Sequence, residues 1–185
     1  MSALGRALAG APPLVLRAAR PSEQGEIRAL VRSERLNPLD LHHAAFVVAA
    51  LGPDVVGAVQ IRHHADGSRE LASLVVAPAW RGRGVADALV KARLAGVAGP
   101  VHLVTRRAYA RFYARWGFHA APSAGLPPAI RRNLWMGQLG SIPALLRGLR
   151  PRRLVALVRP AACDPRHPGA PATTLSALDQ TETPS

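Results

Sequence analysis

The chain has one cysteine, Cys163, in 185 residues, and aromatic side chains make up only 4% of it. A lone cysteine excludes an internal disulfide, and no Cys/His spacing suits zinc; a reducing, cytoplasmic setting without a bound metal is expected. The longest apolar runs fall well short of the ~18 residues a membrane span needs. Residues 1–15 hold one Arg and a short apolar stretch broken by Gly10, Pro12 and Pro13, a poor match to a targeting segment. Acids are missing over a long interval: none lies from Ala88 to Cys163, where Lys91 and twelve Arg stand. The formal net charge of +13 therefore belongs to the second half, since elsewhere eleven Arg face eleven acids. Such a field favours anionic ligands or surfaces. Scarce aromatics leave few stacking platforms, so no specific nucleic acid is expected.

What is present suits one domain of ordinary size, with 49% hydrophobic residues. Residues 1–12 read as an N-terminal extension and residues 13–159 as the folded domain. Residues 160–185, with Pro, Thr, Ser and few large apolar side chains, read as a disordered tail. No internal repeat is present.

The central stretch is residues 70–86, from Glu70 to Ala86. Leu71, Ser73 and Val75 should face one side of a strand and Ala72, Leu74 and Val76 the other, both apolar, as in a buried strand. Pro78 ends it. No proline interrupts the segment 81–86, so every backbone N–H there is expected to be free. Gly82 and Gly84 let a ligand approach the backbone closely. A helix follows, and its first amides lack internal partners. Strand, amide-rich loop and helix start together form an anion site, most often for phosphate. The P-loop pattern is excluded because no Lys-Ser or Lys-Thr follows the last Gly. The dinucleotide pattern is excluded because Asp87 replaces the third Gly and no acid follows at the required distance.

The remaining pattern, Arg81-x-x-Gly84-x-Ala86 after Val76-x-Pro78, resembles the coenzyme A pyrophosphate loop of GNAT-superfamily N-acetyltransferases. A second motif lies downstream: Phe112-Tyr113-x-x-x-Gly117-Phe118, within a helix where Ala108, Phe112 and Trp116 recur every four residues and Gly117 caps the end. The resemblance covers roughly residues 14–158. It implies an α/β (α+β) fold, a mixed central sheet of about six to seven strands flanked by helices. It also implies acetyl-CoA as co-substrate, held by Leu74, Val75, Val76, Arg81, Gly82, Arg83, Gly84, Val85, Ala86 and Phe112. The family often has Asn seven residues before the tyrosine; here Arg106 stands in that place.

The flanking segments agree with such a sheet. Residues 13–18 form a short strand, and Ser22 is expected to cap a helix bearing Ile27, Leu30 and Val31. The next strand covers residues 46–51. Strand 55–62 and the Asp66-Gly67 turn lead antiparallel into the central strand. His63 and His64 at the hairpin end are expected to be solvated. Helix 85–97 and strand 101–104 add a parallel neighbour through a right-handed crossover. Asp87 should face away from an anion. Residues 130–149 read as helical in part, interrupted by Gly137, Gly140 and Pro143, and 154–158 as a final strand.

The resemblance implies transfer of an acetyl group from acetyl-CoA to a primary amine of a small molecule or protein, by direct attack in a ternary complex. An amine attacks only when neutral, which makes a base useful. Glu70, eleven residues before Arg81, matches the position of the general base in some family members. A backbone N–H at or beside Val75 would polarise the carbonyl. Tyr113 would meet the departing sulfur. The acceptor pocket would border the loops 36–41 and 120–128, with His42 and His43 as candidates for substrate contact or as surface histidines. A rival reading keeps coenzyme binding without catalysis, as an interaction module. In that reading the basic segment 129–153 gives weak contact with an anionic membrane or RNA. Monomer and homodimer are both compatible with the sequence.

Overall fold

A computed structural model describes residues 13–139 and 153–161. The extension, residues 140–152 of the basic segment with the expected breaks at Gly140 and Pro143, and nearly all of the tail lie outside the described residues. The strands are β1 (Leu14–Ala18), β2 (Phe46–Leu51), β3 (Asp54–His63), β4 (Arg69–Val76), β5 (Val101–Arg106), β6 (His119–Ala120) and β7 (Leu154–Arg159). They form one seven-stranded sheet in the order β1-β2-β3-β4-β5-β7-β6. The α-helices are α1 (Gln24–Ser33), α2 (Val85–Leu94), α3 (Ala110–Ala114) and α4 (Pro128–Leu139). All strand pairs are antiparallel except β4 with β5, the parallel pair expected from the crossover. Among the described residues no helix is long and apolar enough to cross a membrane.

Two apolar layers sandwich the sheet. On one face α2 buries Val85, Leu89, Val90 and Leu94 against Val59, Ile61, Leu71 and Val76, and Tyr113, Trp116 and Phe118 complete the layer. On the other face Ile27 and Val31 of α1, one helical turn apart, meet Phe46, Val48, Val55, Ala58 and Val75. Fully buried side chains such as Leu89 and Ile27 contribute about 1.5–3 kcal/mol each. A third, smaller cluster seats Ile130 of α4 against Leu126 and Ala156 of β7.

Several local expectations are corrected. Ser22 is not the cap of the first helix. A 3₁₀ turn, Pro21–Glu23, precedes α1, and Glu23 accepts from the Arg20 N–H at 2.7 Å while also pairing with Arg17. A carboxylate that is both cap and ion-pair partner outcompetes a neutral hydroxyl. Gly137 does not interrupt α4, which runs through it to Leu139. The strict alternation along β4 also fails. Leu71 and Val76 share one core layer and Val75 faces the other, because the register with β3 shifts between Ala58 and Gln60. The extra residue in β4 is a bulge, and Ser73 adopts a left-handed φ of 54° within it.

Candidate active site

The bulge sits where the sheet opens. β4 and β5 share a single bridge, Glu70 with His102, near their starts. Beyond it β5 keeps company with β7 along its whole length, while β4 stays with β3. The strands therefore part toward their C-terminal ends, leaving unpaired backbone edges on both sides of a cleft. Two cavities, of about 550 and 320 Å³, occupy this cleft and share Leu36, Leu74, Arg106, Tyr109 and Tyr113 as common walls.

The larger cavity is bordered by Leu74, Val75 and Val76 of β4, by Arg81, Gly82, Gly84, Val85 and Ala86 of the loop and helix start, and by Phe112 and Tyr113 of α3. Gly82 and Gly84 have φ values of 73° and 79°, a left-handed backbone that glycine adopts without a Cβ penalty. A Cβ at either would meet nothing within 4 Å, so conformation, not crowding, calls for glycine there. The first helical hydrogen bond to close runs from the Ala88 N–H to the Gly84 carbonyl, leaving the amides of Gly82 to Ala86 without protein partners among the described residues. The Arg81 N–H is the exception to the expected run of free amides, because it donates to Pro78 O at 3.3 Å. Free amides at a helix start fit a diphosphate.

The two loop arginines behave differently from one another. Arg81 donates from Nε to Val76 O at 3.0 Å and pairs with Glu34 at 2.5 Å. Arg83 does not border the cavity. Its guanidinium lies 5.1 Å from the Trp80 ring centroid, a cation–π contact. Asp87 borders the cavity, but its carboxylate is tied down: Oδ1 accepts from Trp116 Nε1 at 2.9 Å and Oδ2 pairs with Lys91 at 2.8 Å. These partners, Lys91 foremost, hold its carboxyl below the usual range.

Tyr113 is buried at the junction of the cavities. Burial pushes its phenol up to about 12, while a hydrogen bond with the Thr105 hydroxyl pulls slightly the other way. The phenol is therefore protonated throughout the neutral range and can donate. Phe112, edge-on to Tyr113 at 5.3 Å and to Trp116 at 4.9 Å, fixes the ring from the side.

Glu70 borders the smaller cavity only. It is buried, not an exposed strand end, and neither Arg62 nor Arg69 is its partner. Oε2 lies 3.0 Å from His64 Nε2 and accepts from Asn133 Nδ2 at 2.9 Å. The expectation of a solvated His64 is thus corrected: the hairpin turn folds it inward over Glu70. His42 and His43 stack on each other at 4.8 Å and border neither cavity. Leu36 and Asn37 of the loop 36–41 do border the smaller one, with Arg35 beside them. Residues 120–128 do not; α4 supplies Asn133 and Gly137 instead. Asp66 positions α4, since its Oδ2 accepts the Ala129 N–H at 2.8 Å across the turn. Asn133, Glu34 and Thr105 carried no motif in the sequence. Arg62 did have a signal: a hairpin centred on Asp66-Gly67 sets it opposite Glu70, the register observed.

A mixed sheet splits between its parallel strands, with an amide-rich loop at one lip and a buried phenol between two cavities. Residues 42–120 match the family described as Acetyltransferase (GNAT) domain. Over those residues the chain is similar to that family. N-acetylglutamate synthase from Neisseria gonorrhoeae, complexed with coenzyme A and N-acetyl-glutamate, is similar at 21% identity and TM-score 0.59, over 81% of this chain and 35% of that one. Rv2747 from Mycobacterium tuberculosis, in complex with CoA, gives 21% identity and TM-score 0.59 over 80% of this chain and 99% of that one. Ard1 from Thermoplasma volcanium gives 17% identity and TM-score 0.56 over 80% and 98%. At these identities the likeness is one of fold. The chain spans about a third of the Neisseria synthase. A comparison with curated proteins finds no match.

Proposed function

We infer that the protein moves an acetyl group from acetyl-CoA to a primary amine of a small molecule or protein, by direct attack in a ternary complex, with residues 13–159 as the catalytic unit. The observation that carries this reading is the meeting of two cavities at Leu74 and Tyr113, one lined by free loop amides and the other by a buried carboxylate. Acetyl-CoA, when bound, would supply the acetyl group as an activated thioester, with CoA thiolate as the leaving group.

The chain's own residues divide the remaining work. The amides of Gly82 to Ala86, with Arg81 beside them, take the diphosphate, and the open edge of Leu74, Val75 and Val76 offers backbone hydrogen bonds to the arm of the cofactor. A strand N–H at or beside Val75 donates to the carbonyl oxygen as it gains charge. Tyr113 donates to the leaving sulfur. With the phenol at about 12 and a thiol near 8.5, complete proton transfer is uphill by about 5 kcal/mol, so hydrogen bonding is the role that fits. Glu70 stands four residues before Leu74, and the bulge at Ser73 lies between them. It therefore removes the amine's proton through intervening water, with His64 and Asn133 holding the acceptor oxygen in place.

Thiol release from acetyl-CoA with a panel of amines tests the reading, alongside calorimetric titration of CoA. Acyl transfer to at least one amine class is expected. Coenzyme binding with no release above hydrolysis for any amine would leave only the binding-module alternative.

A further inference from the structure

Arg62 is a buried cation without an acid. It is 7% exposed, and a guanidinium keeps its charge at any working pH. Its Nη2 donates to Leu39 O at 2.6 Å. With the Gln60 amide turned so that its oxygen faces Arg62, Nε donates to it at 3.1 Å. Both partners are neutral. No ion pair within 4 Å involves Arg62 among the described residues, and Nη1 has no protein partner there. Glu70 is its cross-strand neighbour, but the Glu70 hydrogen bonds run to His64 and Asn133. Burying an uncompensated charge is costly, and the arrangement persists most readily where a ligand completes it. Arg62 borders the smaller cavity. So do Arg35 and Arg106, against Glu70 as the sole acid among the described lining residues.

We propose that the acceptor is an amine that also carries a carboxylate, its carboxylate on Arg62 and its amine toward the Tyr113 end of the cavity. This rests on the transferase reading above. The register fixes the polarity. Arg62 lies level with Glu70, at the far end from Leu74 and Tyr113, where the two cavities meet. An acceptor that enters amine first leaves its anionic end beside the guanidinium, where two parallel N–H groups suit a carboxylate. Arg106, on the wall common to both cavities, adds to the same field.

The test compares matched pairs: L-amino acids and straight-chain ω-amino acids, each against the same amine lacking the carboxylate. Thiol release from acetyl-CoA reads turnover, and calorimetry into the CoA-bound protein reads binding. For the best acceptor, loss of the carboxylate should lower kcat/KM at least roughly tenfold, the scale of one charge-assisted bond. Arg62→Met should abolish that preference while CoA affinity holds, and Arg62→Lys should restore part of it. Should Arg62→Met not fold, the wild-type pairs decide alone. Equal turnover or tighter binding of the carboxylate-free partners overturns the proposal. If no amine releases thiol, the transferase reading falls. The calorimetric pairs then judge the anion subsite separately: a carboxylate preference upholds it and equal affinities sink it.

Discussion

Glu34 and Arg81 join at the larger cavity, a carboxylate at the end of α1 holding the guanidinium of the glycine-rich loop at 2.5 Å. Glu34 thus occupies, with its own charge, a cation that an incoming diphosphate would use. Both side chains are substantially exposed, so the pair is worth no more than about 1 kcal/mol. Glu34→Gln should therefore tighten CoA binding, by up to roughly fivefold. Arg81→Glu should weaken it by tenfold or more, by placing two like charges together. Isothermal titration at two salt concentrations checks both; an unchanged Kd in Arg81→Glu removes Arg81 from the site.

Removing the Tyr113 hydroxyl leaves the ring packing intact. Tyr113→Phe should lower kcat by roughly a hundredfold, as for loss of one transition-state donor, with little change in the KM for acetyl-CoA. Because burial lifts the phenol to about 12, the wild-type rate should show no fall between pH 8 and 10 from Tyr113 ionisation. A parallel loss of kcat and coenzyme affinity would reduce the residue to a packing role.

Glu70→Gln should cost roughly a hundredfold or more in kcat. Asn133→Leu removes a hydrogen bond to the same oxygen but keeps the acid, so a smaller loss is expected. Steady-state rates of the two variants separate these effects. An unchanged kcat in Asn133→Leu would detach α4 from the chemistry.

Asp66 is held at about 2, foremost by the Ser68 hydroxyl, then by the Ala129 and Ser68 amides. Its folded value is depressed, so its contribution is present above the ordinary 3.8 and is lost as pH falls toward 2. Urea midpoints between pH 5 and 2 should drop less steeply in Asp66→Asn than in the wild type. Identical slopes would show that the hairpin does not anchor α4.

Gly57 lies under α2, the helix that starts at the glycine-rich loop. A Cβ there would stand 3.0 Å from Leu89 Cδ1 and 3.1 Å from Val75 O. Gly57→Ala should destabilise by about 1–3 kcal/mol, read as a lower thermal midpoint. The backbone oxygen, unlike the leucine, has little room to yield.

Much of this was legible in the chain. Local chemistry decided the hairpin at Asp66-Gly67, the parallel crossover and the glycines of the loop, and local chemistry is what a sequence displays. Tyr113 stands one position round from the half-buried Phe112, at the spacing the family motif gives for its tyrosine. The bulge at Ser73 was not legible, because an apolar run looks alike with or without one extra residue; its position depends on the partner strand. Asn133 reaches Glu70 from 63 positions away, and nothing near either residue hints at the other. His64 was misread for a related reason. An imidazole beside a turn usually meets water, and only the closing of the hairpin over the cleft brings this one inside.

The solitary rung between Glu70 and His102 has one more effect. Because the sheet is unzipped past that rung, β4 and β5 each turn an unclaimed backbone edge toward the breach, so a guest lying there can be gripped as an extra strand would be.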